Sequence, residues 1–512
     1  MLFDSAMDAG LIMNTISAAP ASTAPFTAAH QRTVVDALRA VLPEQCVLFN
    51  EEDTRPYECD GLAAYAQLPM VVVLPLNEAH VIAVLKVCRD LSVRVVPRGA
   101  GTGLSGGALP IADGIVLSTA RLNKIVKVDA YARTAVVQPG VRNLAISEAV
   151  ASLGLYYAPD PSSQIACTIG GNVAENSGGV HCLKYGLTVH NVMRVRVVTI
   201  EGDVIELGNA ALDAPGLDLL SVFVGSEGML GIVTEVTVKL IPKPKLARVI
   251  LASFDDVVKG GNAVASVIAA GIIPAGLEMM DKTSTRMVEP FVKAGYDIDA
   301  EAILLCESDG IPEEVEEEIA RMTEVLKHSG ATAIAVSQDE AERLKFWSGR
   351  KNAFPAAGRI SPDYYCIDGT IPRRRLAEVL QGIAQMEVKY GLRCANVFHA
   401  GDGNLHPLIL FDANQEGEFH RAELFGAEIL EMCVAFGGTI TGEHGVGLEK
   451  INQMCVQFSR AEMDAFLSVK RAFDPLSLLN PDKAIPTLQR CAEYGKMHVK
   501  RGMLKFPDLP RF

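Results

Sequence analysis

No Cys-x-x-Cys pair occurs in the 512 residues; the 11 cysteines, at 46, 59, 88, 167, 182, 306, 366, 394, 433, 455 and 491, are odd in number and scattered. That spacing provides no iron–sulfur ligation, so any such electron carrier must sit on another polypeptide. It suits reduced thiols in the cytoplasm better than a disulfide framework. Long apolar runs are also missing, and none approaches the roughly 20 residues that cross a bilayer. Positive charge is scarce, with a net charge of -14, which repels phosphate backbones and anionic lipid over most of the surface and excludes nucleic acid as a partner. No Lys or Arg precedes Arg32 and two aspartates stand in the first ten residues, unlike a secretory leader, so 1–30 reads as a loose arm. Trp347 is the single tryptophan and reads as core or cleft wall.

What is abundant is glycine, 44 residues, in a chain long enough for two to four domains. The pattern from 70 predicts strand, helix over 77–90 with Asn77 as N-cap and Val81, Val84, Leu85 and Cys88 on one face, then strand. Further strands are expected at 114–118, 125–128, 134–138, 192–200 and 231–240, with a helix near 142–153. Ile-Pro-Lys-Pro-Lys at 241–245 punctuates the chain, and strands at 247–253, 275–280 and 302–307 with helices ending near 270 and spanning 312–329 form a second α+β unit. The acidic run 313–320 is the solvated face of that last helix.

Gly101, Gly103 and Gly106 have the G-x-G-x-x-G spacing after a strand, but Gly-Ala-Leu-Pro cannot continue as the helix that a dinucleotide fingerprint needs, which argues against NAD. What remains is a backbone nest for a diphosphate. A second stretch, 159–179, crowds prolines, small polar residues and glycine pairs into one unbroken loop, and two nests imply a long, doubly charged ligand. A third, 224–236, runs glycines into a β-branched strand whose backbone can bond a flat ring's edge.

In Val-Phe-His-Ala-Gly-Asp-Gly-Asn-Leu-His-Pro-Leu, Asp402-Gly403 predicts a two-residue hairpin turn that pairs 401 with 404, 400 with 405 and 399 with 406. His399 and His406 then project from one face about 5 Å apart, suited to one divalent cation. The alternative is a pair of structural histidines. Glu443, between glycines, is the expected third ligand, leaving open positions for substrate oxygens. Its neighbour His444, pointing elsewhere, is the expected base.

The three glycine stretches resemble the FAD-binding domain of the vanillyl-alcohol-oxidase-type (PCMH-type) flavoproteins. With Ser-Pro-Asp-Tyr-Tyr-Cys-Ile-Asp-Gly-Thr at 361–370, the histidine hairpin, Gly-Glu-His-Gly-Val-Gly at 442–447 and Phe-Asp-Pro-Leu-Ser-Leu-Leu-Asn-Pro-Asp-Lys at 473–483, the chain resembles the FAD-linked oxidase C-terminal branch. Within it, the likeness is to the FAD subunits of bacterial glycolate oxidases, with D-lactate dehydrogenases among the relatives. The resemblance implies an α+β fold: arm 1–30, FAD-binding domain 31–245, substrate or cap domain 246–490 with an antiparallel sheet, and tail 491–512. It implies that Pro97, Arg98, Gly99, Ala100, Gly101, Thr102, Gly103, Pro159, Asp160, Ser162 and Ser163 hold the diphosphate and adenine side. Gly170, Gly171, Asn172, Asn176, Ser177, Gly178 and Ile232 would line the rest, and Asn480 would reach the ring. The FAD is expected to be noncovalent, since relatives attach it through a histidine that the first loop lacks; His181 and Cys182 read as buried spectators. The metal would be zinc or manganese.

The activity implied is oxidation of a short 2-hydroxy acid to the 2-oxo acid by hydride transfer to flavin N5, with His444 taking the hydroxyl proton and Arg350 clamping the carboxylate. Relatives that take dicarboxylates carry a lysine just ahead of the motif in which this chain has Cys366 before Asp368, Thr370 and Pro372, which favours glycolate or D-lactate over longer diacids. Expected partners are a second FAD-binding subunit and an iron–sulfur subunit feeding the respiratory chain, with any membrane association through them. Competing expectations are a stand-alone D-lactate dehydrogenase with a cytochrome or quinone acceptor, a metal-dependent hydrolase using His399, His406 and Glu443, and a noncatalytic FAD scaffold.

Overall fold

A computed structural model describes residues 26–211 and 216–486. Most of the N-terminal arm and the whole of the 491–512 tail therefore lie outside the described residues. Near the N-terminus, Val71–Val73, Ile115–Ser118 and Val95–Arg98 run parallel, with Val47–Leu48 added antiparallel at one edge. Parallel strands covered on both sides must be apolar throughout, and Val71, Val72 and Val73 are fully buried. The crossover helix Glu78–Asp90 is capped by Asn77, whose side chain accepts from the His80 N–H, and it buries Val81, Val84, Leu85 and Cys88. A second, antiparallel sheet of five strands has the order Ile125–Asp129, Thr134–Val137, Ile232–Lys239, Val192–Val198, Val204–Gly208.

Leu246–Phe254 begins a seven-stranded antiparallel sheet, in order Ala333–Val336, Leu246–Phe254, Ala302–Gly310, Gly276–Asp281, Arg393–Phe398, Pro407–Phe411, Asp363–Cys366. Helices Val257–Ala269, Pro312–His328, Leu376–Tyr390 and Glu418–Ala435 cover one face through the largest apolar cluster; Trp347 packs in a second cluster with residues of the same sheet. The acidic helix Pro312–His328 buries only Val315, Ile319, Met322 and Leu326, so its glutamates face solvent or the helix flank.

Within these units the structure departs from the sequence pattern. The stretch 159–179 is not one unbroken loop, because Ile169–Glu175 is a helix whose preceding Thr168 bridges Arg142. The chain also returns late: the Val95 N–H donates to Leu478 O at 2.8 Å and the Asn480 N–H to Val95 O at 2.7 Å, so residues expected in the second domain complete the first. Nine of the described cysteines are free thiols.

Candidate active site

A cleft of about 450 Å³ lies where the two parallel-strand and antiparallel units meet the seven-stranded sheet. All seven first-loop residues, Pro97, Arg98, Gly99, Ala100, Gly101, Thr102 and Gly103, line it, joined by Ser162, Ser163, Gly170, Gly171, Asn172, Ser177 and Ile232. Five expected residues do not. The Pro159 carbonyl accepts from the Asn143 amide at 3.1 Å, and Asp160 grips His181 at 2.7 Å. Asn176 ends the helix in the left-handed region and accepts from the Val189 N–H. Gly178 faces a separate cavity of about 300 Å³ behind Glu443. Asn480 is buried, and its amide donates to the carbonyls of Gly107 (3.0 Å) and Glu227 (2.7 Å), so it ties two glycine loops together from behind. His181 lies between Asp160 and Glu307, away from the cleft lining.

The other end of the cleft is walled by Arg350, Phe354, Tyr364, His406, Glu443 and His444. Here the hairpin register differs from the pattern. His399 pairs with Asn404, and Asn396 with Pro407, which makes a four-residue loop instead of a two-residue one. The loop is drawn out because its backbone bonds to neighbours: Gly401 N–H to Leu277 O at 2.8 Å, and Ile371 N–H to Gly403 O at 3.0 Å. Gly403 sits at φ +84°, where a Cβ would strike the Ile371 carbonyl. Side chains alternate with period two, so a shift of two residues keeps both imidazoles on one face. Their ring centroids are 5.1 Å apart.

Glu443 Oε1 lies 3.2 Å from His399 Nε2 and 2.9 Å from His406 Nε2. Burial would raise the Glu443 carboxyl, but the two imidazoles override it and hold it well below the usual range. Glu278, in the strand Gly276–Asp281, organises this end. Its Oε1 is 2.8 Å from His399 Nδ1 and its Oε2 accepts from Arg350 Nε at 2.6 Å, fixing the histidine with Nε2 toward Glu443. Arg350 is thus no surface residue; it is 2% exposed, and its Nη2 reaches to 3.5 Å from His399 Nε2.

His444 is not turned away from the triad. Its ring stacks on His406 at 4.8 Å and 12°, and its Nε2 is 4.0 Å from Glu443 Oε1. Asp368, fully buried, shapes this turn: it accepts from the N–H groups of Gly442 (3.1 Å), Glu443 (3.1 Å) and His444 (2.9 Å), and from Lys450 Nζ at 2.9 Å. Burial pushes His444 down to about 4, despite the pull of Asp368, so its ring is neutral, and its Nδ1 has no hydrogen-bond partner among the described residues. Two donor sets converge on His406: His399, His406 and Glu443 on Nε2, and Cys366, His406 and His444. The first suits a cation better, because burial and nearby Glu449 and Asp368 push the Cys366 thiol well up, against the thiolate a metal requires.

A glycine-lined cleft meeting buried imidazoles and an arginine on a separate antiparallel sheet defines a cofactor-dependent enzyme, and comparison with known proteins gives its class. Residues 69–208 match the model described as FAD binding domain, and 243–484 that of FAD linked oxidases, C-terminal domain. The glycolate oxidase subunit GlcD of Escherichia coli (strain K12) is 63% identical over 94% of this chain and 96% of its own length. That of Bacillus subtilis (strain 168) is 41% identical over 83% and 91%, and a D-lactate dehydrogenase of Anaerostipes hadrus 32% over 88% and 96%. The solved structure of p-cresol methylhydroxylase with substrate bound shares the fold, with TM-score 0.76, 18% identity and coverage of 90% and 98%. The molecule is a flavoprotein oxidoreductase of α+β, PCMH-type architecture. The chain belongs to the FAD-linked oxidase family.

The residues missed by sequence reasoning are Glu278 and the organising role of Asp368. An acid set among leucine and methionines in an otherwise apolar strand was the available signal for the first.

Proposed function

We propose that this chain oxidises a short 2-hydroxy acid, glycolate first and D-lactate second, to the 2-oxo acid. The observation that carries it is the meeting, at one end of the flavin cleft, of a neutral unpartnered imidazole (His444), a buried guanidinium (Arg350) and a two-histidine, one-carboxylate cluster. FAD, when bound, supplies the two-electron acceptor. His399, His406 and Glu443 would hold a divalent cation, zinc or manganese; bound there, it would polarise the substrate's hydroxyl. The donor set fits, since both Nε2 atoms already converge on one carboxylate oxygen and Glu278 fixes the tautomer of His399.

Within this reading, Arg350 offers Nη1, and Nη2 from beside His399 Nε2, to the substrate carboxylate while Nε is anchored on Glu278. That orients the C2 carbon over the ring. His444 takes the hydroxyl proton, a transfer that typically contributes 10²–10⁴-fold. Position 366 carries a buried cysteine and so supplies no second cation for a diacid, which favours monocarboxylates. Glycolate is placed first because the 63% identical relative is named a glycolate oxidase subunit, and D-lactate second because relatives near 32% are named for it. The word subunit in that name supports electron delivery to partners, for which we propose a second FAD-binding subunit and an iron–sulfur subunit at the inner face of the membrane. No described helix is long and apolar enough to cross a membrane.

The test is anaerobic stopped-flow mixing of the FAD-loaded protein with glycolate, D-lactate, L-lactate and 2-hydroxyglutarate, following flavin absorbance. Rapid bleaching by glycolate and D-lactate is expected; failure of every 2-hydroxy acid to bleach it refutes the proposal.

A further inference from the structure

Three carboxyl groups gather behind the first glycine loop, Asp60 and Glu227 buried and Glu175 half-buried at the cleft, and the chemistry above uses none of them. Asp60 accepts from the N–H groups of Leu62 (3.0 Å) and Ala108 (3.3 Å). Glu227 accepts from Val446 and Gly447, each at 2.7 Å, pinning the third glycine loop to the turn that carries Glu443 and His444. Glu175, the last residue of the helix Ile169–Glu175, has no such compensation: its Oε2 is buried with no hydrogen-bond partner among the described residues. The nearby ammonium groups are engaged elsewhere. Lys450 donates to Asp368 Oδ2 and Gly445 O, both at 2.9 Å, and Lys483 to the carbonyls of Gly107 and Leu109 and to Asn480 Oδ1.

Three carboxyls crowded beside two engaged lysines favour uptake of a proton where ionisation is least compensated by hydrogen bonds. That site is Glu175. Burial, then the charges of Glu227 and Asp60, push its carboxyl well above the ordinary range, against the opposing pull of Lys450 and Lys483. A protonated carboxyl has one O–H to donate.

Its position says to what. Glu175 lines the flavin cleft, and a Cβ on Gly445, the residue after His444, would come within 2.0 Å of its Oε2. The carboxyl therefore stands at the chemistry end of the cleft, against the turn of the proposed base. An isoalloxazine presents mostly acceptor atoms along its polar edge and gathers negative charge there when it is reduced.

We propose that Glu175 is a neutral carboxylic acid that donates a hydrogen bond to the isoalloxazine of FAD and thereby makes the ring easier to reduce. It is a tuning residue, and the proposal rests on FAD occupying the cleft, not on which hydroxy acid is oxidised.

The test is a spectroelectrochemical titration, with mediators and no substrate, of FAD-loaded full-length wild type, Glu175→Gln and Glu175→Ala. The glutamine variant keeps a neutral donor and is expected to hold the wild-type potential. The alanine variant is expected to lose at least tenfold in preference for reduced over oxidised FAD, a fall of about 30 mV for a two-electron couple. An ionised Glu175 would instead make both variants rise, by removal of a negative charge; that result, or no shift in the alanine variant, overturns the proposal. Reduced-minus-oxidised infrared difference spectra of the wild type give a readout that does not depend on the variants folding. A protonated-carboxyl band that shifts on reduction supports the assignment, and its absence overturns it. No substrate is present, so neither failure bears on the hydroxy acid reading.

Discussion

Glu278→Gln is the sharpest probe of the site. The carboxylate meets Arg350 Nε at 2.6 Å and His399 Nδ1 at 2.8 Å, with all three residues at most 3% exposed. Burial alone would raise the Glu278 carboxyl, but His399 and Arg350 override it and keep it ionised. With charge centres about 4 Å apart and an effective dielectric near 20, each attraction is worth about 4 kcal/mol before desolvation. Breaking one partner of a buried pair typically costs 3–5 kcal/mol. The amide keeps the shape but leaves Arg350 buried without its counter-charge and offers His399 Nδ1 either a donor or a weaker acceptor. Loss of such a supporting carboxylate typically weakens a metal site 10–100-fold. The expected outcome is a rise of that size in the dissociation constant of added Zn²⁺ or Mn²⁺, read by competition with a chelator, with a rise in KM for glycolate of about tenfold and FAD content unchanged. Glu307→Gln is the control. Glu307 lies on the adjacent strand and holds His181, Arg343 and Trp347 instead of the site. Equal weakening of the metal by both variants would refute the reasoning, because the effect would then be general loosening of the sheet.

Three further outcomes are expected. His444→Gln should slow flavin bleaching by glycolate 10²–10⁴-fold in stopped flow while leaving FAD affinity unchanged; retention of the wild-type rate excludes it as the base. Gly445→Ala places a Cβ 2.0 Å from Glu175 Oε2 at φ +81° and should release FAD, seen as a rise in flavin fluorescence on gentle warming. Burial pushes Glu449 up to about 7, against Lys450, so the native state binds more protons than the unfolded state between about 4.5 and 7. Stability from this group is present below that window and lost as pH rises through 7, up to about 3 kcal/mol at 1.36 kcal/mol per pH unit. Glu449→Gln should therefore raise the urea midpoint at pH 8 and not at pH 5; equal effects at both would refute the assignment.

Local patterns were legible because they depend on neighbours in the chain. Asn77 and the buried face of its helix follow from capping and a 3.6-residue period. The first glycine loop was legible because a backbone nest needs only small residues in sequence, and every residue named there lines the cleft. The second stretch was misjudged: prolines at its start and a glycine pair inside the first turn obscured a seven-residue helix that owes its place to Thr168 bridging Arg142.

The amino-acid sequence alone determined the class of molecule, the glycine-lined cleft and the sharing of one face by His399 and His406, since alternation along a strand survives a two-residue change of register. Tertiary structure alone decided the rest. The hairpin register was set by backbone partners at Leu277 and Ile371, distant in the chain. His444 was brought onto His406 by Asp368, which gathers three successive N–H groups from 74 to 76 residues away. Arg350, His399 and Glu278 became one unit only because three separate elements place their charges where water cannot solvate them, so that each must be met by another.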